Sequence, residues 1–566
     1  MMTLMFDTLT WRDASGPAPW LNVPATEVPA GMRKTPASGL VSSDGLRYQY
    51  VLRSGATWHD GRPLTAADVV FTYEYTKNRK AAGFSIGFPP PGGPYSRYID
   101  YIASVRVDPA DPSGQTVLFT LHDPVANPCP AGDEICLLGP WVPFEDLVVG
   151  AVPIIPRHIW GPDATATCHP SGGVGNTCVQ DPVNAAPQQQ YLGSGPYVLD
   201  TGTFVVDELV AQLNANMEYF RGPPYVRKLN FVPVGQGQSL NALTTGVIDG
   251  ATAGGGSAIT PETLGSFDRF ARVTGDRGED QNIQFNLTRG FPFDRKEFRQ
   301  AIAYAVDRPA LVAAFANGQG VPGSAGALSP SSPAVAPDLP RYERDVEKAN
   351  QLLDAIGLTD KNGDGMRDLP DEGCGIVPTC PRGKGGTKLW SDSMNERLAE
   401  VVVDSLRRDL KLDIASYSPN PPVFPFGNYS MALTRQRNLT GDPDQLRTRF
   451  SHRITSQSFP GPCSSFFGCH KNPPIMVFGY ANPEFMDLAD QQAVDANPAT
   501  RLEKVHRMQR LIAEDVPAIS LVVADRLFLH RPGTVPFYYT PGGVGADPEG
   551  ATTLNKQVFV TGKRTG

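Results

Sequence analysis

Two segments of the chain carry side chains whose types and spacing could do chemistry. The first is WHDG, in which His59 and Asp60 follow Trp58 and could form a proton-transfer pair. The alternative is turn chemistry, in which Gly61 helps to end a strand and start a helix. The segment offers no nucleophile or second base at a matching spacing. We therefore interpret WHDG as a turn.

The second segment is an acidic loop, DKNGDGMRDLPD. Its oxygen-bearing residues stand where a calcium loop of the EF-hand type places its ligands. These residues are Asp360, Asn362, Asp364, Met366 through its carbonyl, Asp368 and Asp371. Asp371 replaces the longer, bidentate Glu of the last position. The loop is either a structural calcium site or a metal-free acidic turn after the helix that Gly357 ends.

The eight cysteines fall into four close pairs, each in a loop rich in Pro, Gly or Ser. The pairs are Cys129 and Cys136, Cys168 and Cys178, Cys374 and Cys380, and Cys463 and Cys469. Disulfides between neighbours are the simplest connectivity, and they persist in oxidising compartments. Zinc is the alternative because His169 and His470 adjoin cysteines, but the pairs lack Cys-x2-Cys spacing. We predict four disulfides.

Regular elements are predicted around these segments. In RYQYVLR, Tyr48, Tyr50 and Leu52 recur at every second residue, which indicates a half-buried strand. Thr65 and Asp68 then form a capping box that predicts a helix start. Two later helices are indicated by apolar stripes, one through Phe298, Ile302, Ala305 and Val306, and one after a Ser393-x-x-Glu396 capping box through Leu398, Val401, Val402, Leu406 and Leu410. AISLVVA near the end predicts a buried strand.

Length and charge bound the class of protein. The 566 residues exceed one hydrophobic core, because single cores stop growing near roughly 250 to 300 residues. Hydrophobic residues make up 40% and charged residues 19%, as in folded proteins. The net charge is −8, and no basic run with interleaved aromatics is present, which argues against a nucleic-acid partner. No apolar stretch is long enough to span a membrane.

Motifs of common enzyme classes are absent from the sequence. There is no Gly-x-Ser-x-Gly elbow, no Gly-x4-Gly-Lys-Ser/Thr loop and no His-Glu-x-x-His. GKGG at residues 383–386 lacks the Ser or Thr that would hold magnesium. We therefore predict a protein that is not an enzyme and has no catalytic cofactor.

Five ordered segments resemble a known family. LRSGATWHDGRPLTAADVVFTYEY at residues 52–75 is similar to the signature of extracytoplasmic solute-binding proteins of ABC importers, family 5, the dipeptide, oligopeptide and nickel-binding type. The other segments follow in the family's order: IIPRHIW at 154–160, YLGSGPYVL at 191–199, FRQAIAYAVDRPALV at 298–312 and GDPD at 441–444. The resemblance covers most of the chain.

The resemblance implies an α/β fold with two lobes. This is the periplasmic-binding-protein fold of type II, in the large cluster C class, with an extra subdomain in the first lobe. The implied division is the first lobe at residues 1–10 and 191–285, the extra subdomain at 11–190, the second lobe at 286–520 and a return to the first lobe at 521–566.

The resemblance also implies a function. The chain would capture a peptide or similar polar solute between its lobes, as a monomer, and deliver it to an ABC permease in the membrane. The alternatives are an oligosaccharide or other metabolite binder, a sensor or interaction protein without a transport role, and an enzyme on the same scaffold. The implied location is extracytoplasmic, either periplasmic or as a cell-surface lipoprotein.

The N-terminal segment MMTLMFDTLTW carries neither a signal peptide nor a lipidation cysteine. Members of the family normally have further strands before such a segment. We therefore expect the given sequence to be truncated, or its start misassigned, so that it lacks an export signal and part of the first lobe. A cytosolic protein is the alternative, and the paired cysteines argue against it.

The resemblance points to the residues around GDPD as solute ligands. In peptide-binding members, an Asp in a W-x-x-D segment before this turn holds the peptide's α-amino group, because a desolvated ammonium needs a carboxylate. Counted back from GDPD, this chain has Gln436 in place of the Trp and Leu439 in place of the Asp. The anchor is missing in this alignment, unless a one-residue insertion restores it or Asp442 or Asp444 substitutes for it.

Two cations flank the missing anchor. Arg435 and Arg437 would suit a carboxylate, a phosphate or a sugar edge. The alternative is that both lie on a solvated loop. We expect short peptides with a free N-terminus to bind weakly, and N-blocked peptides, oligosaccharides or other polar metabolites to bind as well or better.

Overall fold

The structure of the protein is a computed structural model. It describes residues 2–13, 16–81, 98–123, 125–128, 138–160, 191–203, 210–232, 234, 238–253, 271–275, 279–316, 318, 320–370, 386–391, 395–418, 429–437, 442–451, 479–524 and 526–532. All eight cysteines, Asp371, Ser393 and Leu439 lie outside these residues. The predicted disulfides therefore stay a prediction.

The described strands extend over most of the chain. They are β1 Thr10–Asp13, β2 Gly16–Pro19, β3 Asn22–Val23, β4 Met32–Lys34, β5 Leu40–Ser42, β6 Arg47–Leu52, β7 Ile102–Val107, β8 Thr116–Leu121, β9 Tyr197–Leu199, β10 Ala211–Ala215, β11 Lys228–Phe231, β12 Gly250–Ala253, β13 Ala271–Gly275, β14 Glu279–Phe285, β15 Gly320–Pro322, β16 Thr387–Ser391, β17 Ile414–Tyr417, β18 Met431–Arg437, β19 Ala518–Ala524 and β20 Arg526–His530.

The described helices are concentrated in the second half of the chain. They are α1 Met2–Met5, α2 Ala66–Ala81, α3 Arg157–Trp160, α4 Ser239–Thr245, α5 Lys296–Ala305, α6 Arg308–Phe315, α7 Val346–Ala355, α8 Glu396–Leu410, α9 Gln445–Phe450, α10 Pro483–Val494 and α11 Pro498–Asp515. A π-helix at Glu145–Val149 and 3-10 turns at Ile99–Tyr101 and Leu287–Arg289 complete the set. Among the described residues, no helix combines the length and apolar character needed to cross a membrane.

The chain folds into two compact units, both discontinuous in sequence. Unit 1 comprises Met1–Ala258, Glu262–Gly275 and Leu527–Gly566, and unit 2 comprises Ile259–Pro261 and Asp276–Arg526. The main crossings therefore follow Gly275 and Arg526, whereas the resemblance placed them at residues 286 and 521.

Unit 1 contains several separate sheets. Its largest described sheet has the order β4-β5-β6-β8-β7. The predicted strand is confirmed as β6, in which Tyr48, Tyr50 and Leu52 are buried and alternate with more exposed residues. Helix α2 packs against β7 and β8. At its start, Asp68 accepts hydrogen bonds from the amide of Thr65 at 2.9 Å and from its hydroxyl at 3.0 Å.

A close backbone approach joins the N-terminal segment of unit 1 to the GSGPY segment. A Cβ on Gly193 would lie 1.9 Å from the carbonyl oxygen of Met5, and one on Gly195 would lie 2.5 Å from that of Leu4. The Gly195 amide donates to the Met5 carbonyl at 2.8 Å. Only glycine permits this spacing, because any side chain would overlap the neighbouring backbone.

Asp7 reinforces the same junction from the inside of unit 1. Its carboxylate is fully buried. It accepts hydrogen bonds from Trp20 Nε1 at 2.7 Å, from the Tyr219 hydroxyl at 2.9 Å and from the Ser194 hydroxyl at 3.1 Å. Three donors offset the desolvation of the carboxylate and tie three separate segments together.

Unit 2 is built on a six-stranded mixed sheet with the order β15-β19-β14-β18-β16-β17. Strands β16, β17 and β18 run parallel, and β14 runs antiparallel to β18 and β19. One face carries the main core, to which α5, α6, α7 and α8 contribute. Part of the other face packs with α9, α10 and α11. Both predicted helical stripes and the predicted AISLVVA strand are confirmed as α5, α8 and β19.

Arg299 fastens α5 to the end of α11. This buried guanidinium donates to the carbonyl oxygens of Asp515 and Val516 at 2.9 and 3.0 Å, and to that of Phe293 at 2.8 Å. The last carbonyls of a helix have no partners within it. A cation at this position satisfies them and complements the helix dipole.

We expect Gly193→Ala to destabilise unit 1 by about 2 kcal/mol or more, because its Cβ would force the Met5 backbone out of place. Gly202→Ala is the matched control, since the nearest atom to its Cβ would be 3.4 Å away. Chemical denaturation of the three proteins measures the effect. Equal stability of the two variants would contradict this account of the junction.

Candidate ligand-binding site

The WHDG segment has a structural role in unit 1. The amide of Gly193 donates to His59 Nδ1 at 3.2 Å, and His59 Nε2 contacts the Gly195 carbonyl at 3.0 Å. Nε2 therefore carries the proton. Burial lowers the pKa of His59 and favours this neutral ring. Because both ring nitrogens hold the backbone of the GSGPY segment, the turn interpretation is confirmed.

The IIPRHIW segment of unit 1 joins the same junction. His158 Nε2, from IIPRHIW, lies 2.8 Å from Asp60 Oδ2. The amide of Arg157 donates to Asp68 at 3.0 Å. Three of the five resembling segments therefore contact one another through hydrogen bonds that fix the fold.

The predicted arginines lie on a strand of unit 2. Arg435 and Arg437 belong to β18, where their backbones pair with Gln281 and Glu279 of β14. The backbones of both residues therefore belong to a strand and not to a loop. Parallel strands β16, β17 and β18 end at a common edge, and ligands of α/β sheets bind outside such carboxyl ends. Arg437 ends β18 at this edge.

The two predicted carboxylates are already paired within unit 2. Asp444 is fully buried, and it binds Arg447 in a bidentate geometry with distances of 2.6 and 2.7 Å. Gln492 also donates to Asp444. Asp442 forms an ion pair with Arg501, whose Nη1 donates to Oδ2 at 2.9 Å.

These ion pairs affect the pKa of Asp444 and the access of a ligand ammonium to both carboxylates. Burial by itself would raise the pKa of Asp444, but the charge and hydrogen bonds of Arg447 lower it below its usual value. A ligand ammonium would have to displace a buried, bidentate guanidinium to reach Asp444. The prediction that Asp442 or Asp444 replaces the missing amino-group anchor is therefore not supported by their surroundings.

A third carboxylate of unit 2 was not predicted. Asp280, on β14, is 1% exposed. Burial raises its pKa to about 7, against the opposing effects of the Ser520 hydroxyl and the charges of Arg449 and Arg308. Asp280 Oδ1 and Arg449 Nε have no hydrogen-bond partner within the described part of the chain. Arg449 instead donates to the Ala327 carbonyl at 2.8 Å.

A sequence signal for Asp280 exists. In EDQNIQF, Asp280, Asn282 and Gln284 recur at every second residue between Ile283, Phe285 and other residues. This period indicates a strand with one polar face. The structure confirms that Ile283 and Phe285 enter the main core of unit 2, so the polar residues point to the opposite face.

The acidic loop folds around its own side chains. Asp360 accepts from the amides of Gly363 at 2.7 Å and Gly365 at 2.8 Å. The Asn362 amide contacts Asp364 Oδ2 at 3.2 Å and Asp368 Oδ1 at 3.0 Å. Two carboxylates therefore converge on one point. No group of three or more His, Cys, Asp or Glu side chains suited to a metal was found within the described ranges.

The sequence of the chain matches one protein family. The family described as bacterial extracellular solute-binding proteins, family 5 middle, matches residues 35–456. The oligopeptide-binding protein AppA of Bacillus subtilis is 26% identical over 427 residues, which cover 72% of this chain and 66% of AppA. Protein XP55 of Streptomyces lividans is 28% identical over 499 residues, or 86% of this chain and 75% of XP55. The chain thus aligns with just under two thirds of the length of AppA.

Solved structures share the fold. AppA of Bacillus subtilis, in complex with a nonapeptide, superposes with a TM-score of 0.62 and 20% identity, covering 95% of this chain and 91% of AppA. NikA of Brucella suis, in complex with Fe(III)-EDTA, has a TM-score of 0.67 and 16% identity, covering 98% and 94%. The predicted two-lobed α/β solute-binding fold is confirmed.

We expect Asp280 to make the stability of unit 2 depend on pH. Its pKa of about 7 in the folded chain lies above the unfolded value of about 3.9. The stabilisation is therefore complete below pH 4 and is lost as the pH rises through 7. Asp280→Asn should remove this loss, so that its stability relative to the parent rises by about 1.4 kcal/mol per pH unit across that window.

Denaturation of unit 2 at pH 5, 6, 7 and 8 measures the difference. Glu343→Gln, at an exposed surface position, is the control for the loss of one carboxylate. A constant stability difference between Asp280→Asn and the parent at all four pH values would show that the Asp280 pKa is not raised.

Proposed function

The chain belongs to the family 5 bacterial extracellular solute-binding proteins, and we propose that it captures a peptide or similar polar solute and delivers it to the permease of an ABC importer. The observation that carries the proposal is the family match across residues 35–456. The shared fold over 95% of the chain with a peptide-bound protein supports it. Proteins of this family bind solutes, and we predict no catalytic activity for this member.

Peptides come first as the proposed solute class. AppA is an oligopeptide-binding protein, and its structure holds a nonapeptide. NikA has the same fold and holds Fe(III)-EDTA instead. The fold therefore accommodates different solutes, and the side chains of this chain have to select among them.

The surroundings of the GDPD turn favour solutes without a free amino group. Leu439 stands where peptide-binding members have the Asp anchor, and Asp442 and Asp444 are paired with Arg501 and Arg447. N-blocked peptides, oligosaccharides and other polar metabolites fit this set better than a peptide with a free N-terminus. Arg435 and Arg437 remain candidate ligands for an anionic group at the edge where β18 ends.

We also propose the setting in which the protein works. The family is extracellular, and the periplasm or a cell-surface lipoprotein is consistent with four disulfides between neighbouring cysteines. The protein would act as a monomer that meets its permease at the membrane.

We expect a solute to copurify with the protein or to stabilise it on addition. Mass spectrometry of small molecules released by denaturation identifies the solute. Its addition should raise the melting temperature, because a ligand that binds only the folded state stabilises it by about 2.7 kcal/mol at a hundred times Kd. If screens of peptides, oligosaccharides and metabolite mixtures all leave the melting temperature unchanged, the transport proposal fails.

We expect an N-acetylated peptide to bind as well as, or better than, the same peptide with a free N-terminus. The physical reason is that Asp442 and Asp444, the carboxylates of the GDPD turn, are already paired with Arg501 and Arg447. Calorimetry with one matched peptide pair measures the ratio of the two affinities. A preference of tenfold or more for the free amine would show that an acidic anchor exists elsewhere.

We further propose that the acidic loop at residues 360–371 holds a structural calcium ion. The convergence of Asp364 and Asp368 on the Asn362 amide supports this proposal, since a cation at that point would meet oxygens from both. Asp360, the Met366 carbonyl and Asp371 are the other candidate ligands.

We expect calcium to raise the melting temperature of the parent protein and to have no effect on Asp364→Ala. The variant removes one converging carboxylate, whereas Asp404→Ala at an exposed position of α8 removes a charge elsewhere. Melting curves with calcium or with a chelator compare the three proteins. An equal calcium response in Asp364→Ala and the parent would exclude this loop as the site.

A further inference from the structure

Two arginines of unit 1 lie close to one aromatic ring. The guanidinium carbon of Arg53 is 4.9 Å from the centroid of the Phe220 ring, and that of Arg221 is 5.9 Å from the same centroid. Arg221 also covers the ring of Trp20, at 4.0 Å from its centroid. Aromatic faces attract guanidinium groups and allow them to stack. Two positive charges are therefore held near Phe220.

Backbone carbonyls fix the orientation of both arginines. Arg53 Nε donates to the carbonyl oxygen of Trp20 at 3.2 Å. Arg221 Nη2 donates to the carbonyl oxygens of Pro19 and Trp20 at 2.7 and 3.3 Å. The backbone amide of Arg53 donates to the carbonyl of Leu21 at 2.9 Å. Side chains held in this way lose little conformational freedom when they bind a ligand.

Both guanidinium groups keep donors that the fold does not use. Within the described part of the chain, neither Arg53 nor Arg221 forms an ion pair, and each donates through a single nitrogen. The two Nη atoms of Arg53, and Nε and Nη1 of Arg221, have no hydrogen-bond partner among these residues. Arg221 is exposed and Arg53 is partly exposed. A ligand in solution can therefore reach this pair of cations.

The two positive charges oppose each other. Partial desolvation over Trp20 lowers the pKa of Arg221, and the charge of Arg53 lowers it further, whereas Tyr219 and Asp7 raise it. The Asp7 carboxylate already accepts hydrogen bonds from three donors, one of which is the Tyr219 hydroxyl. Like charges repel each other at short range. A bound anion between the two arginines would convert this repulsion into attraction.

The connection between β10 and β11 extends the positive surface. Arg227 and Lys228 are exposed here together with one acidic residue, Glu218, in a chain whose net charge is −8. The same connection exposes Met217 and Tyr225, which are 53% and 66% accessible. Cations beside exposed apolar and aromatic side chains are typical of surfaces that meet anionic lipid headgroups.

We propose that Arg53 and Arg221 form a binding site for a phosphate group, whose oxygens accept hydrogen bonds from the unused donors of both arginines. A phosphate monoester has three terminal oxygens for two guanidinium forks, whereas one fork matches the two oxygens of a carboxylate. The phosphate belongs either to a soluble ester or to a lipid headgroup. This inference goes beyond the proposed solute capture and does not rest on it.

Glycerol phosphate is the soluble probe, and glycerol is its uncharged control. Calorimetry should show that the parent binds glycerol phosphate and does not bind glycerol. Arg53→Gln and Arg221→Gln should each weaken the binding by about tenfold, because each removes charge-assisted hydrogen bonds. Arg106→Gln, at an exposed position of β7 in the same unit, should bind as the parent does.

A conservative variant keeps the test informative if a glutamine variant fails to fold. Arg221→Lys retains a positive charge that can stack on Trp20, but it loses the planar fork. It should melt near the parent's temperature and bind glycerol phosphate more weakly. Affinity equal to that of the parent would show that a diffuse positive charge is sufficient, which contradicts a site built from two forks.

Vesicles distinguish the two sources of the phosphate. The parent is mixed with vesicles of phosphatidic acid and phosphatidylcholine in equal parts, or of phosphatidylcholine alone, and flotation measures the bound protein. Binding to the first set alone, lost in Arg221→Gln and kept in Arg106→Gln, would support the site with a lipid headgroup as its ligand. Binding of glycerol phosphate without binding to vesicles would support it with a soluble ester. If neither probe distinguishes Arg53→Gln and Arg221→Gln from Arg106→Gln, the inference is wrong.

Discussion

The bidentate ion pair between Asp444 and Arg447 organises the helices at the end of unit 2. Gln492 of α10 also donates to Asp444, and Arg501 of α11 pairs with the nearby Asp442. A carboxylate as buried as Asp444 would be strongly destabilising without its guanidinium. Because the pairing is internal, Asp442 and Asp444 join α9, α10 and α11 to one another, and the charge of Asp444 is not available to a solute.

Buried polar groups elsewhere in the chain divide into two kinds. Asp7 in unit 1 and Arg299 in unit 2 have several partners each and hold segments of the fold together. Asp280 has an oxygen, and Arg449 a nitrogen, without a partner among the described residues. Groups of the first kind contribute stability. Groups of the second kind reduce stability and are retained more readily where a proton or a ligand can compensate them.

The motifs that identify the family are mainly part of the scaffold. Hydrogen bonds of His59, Asp60 and Gly193 connect three motif segments of unit 1. In unit 2, Arg299 connects α5 to the end of α11. Such residues specify how the chain folds but not which solute it binds. This explains how AppA and NikA can share one fold and hold a nonapeptide and Fe(III)-EDTA, respectively.

The sequence by itself determined the elements and the scaffold. Two-residue and helical periods reflect burial of one face of an element, so β6, β19, α5 and α8 could be predicted from local pattern alone. Family motifs added the α/β fold with two lobes. The resemblance around GDPD also pointed to Asp442 and Asp444 as charged residues of interest.

Only the tertiary structure decided what those charges do. Arg501 lies 59 residues from Asp442 in the chain, and no local pattern joins the two. The same holds for Asp280, whose burial depends on the pairing of β14 with β18 and β19, strands that are distant from it in sequence. Electrostatic partners are set by distance in space, and for strands distant in sequence that distance depends on sheet order and register, which a single sequence does not specify.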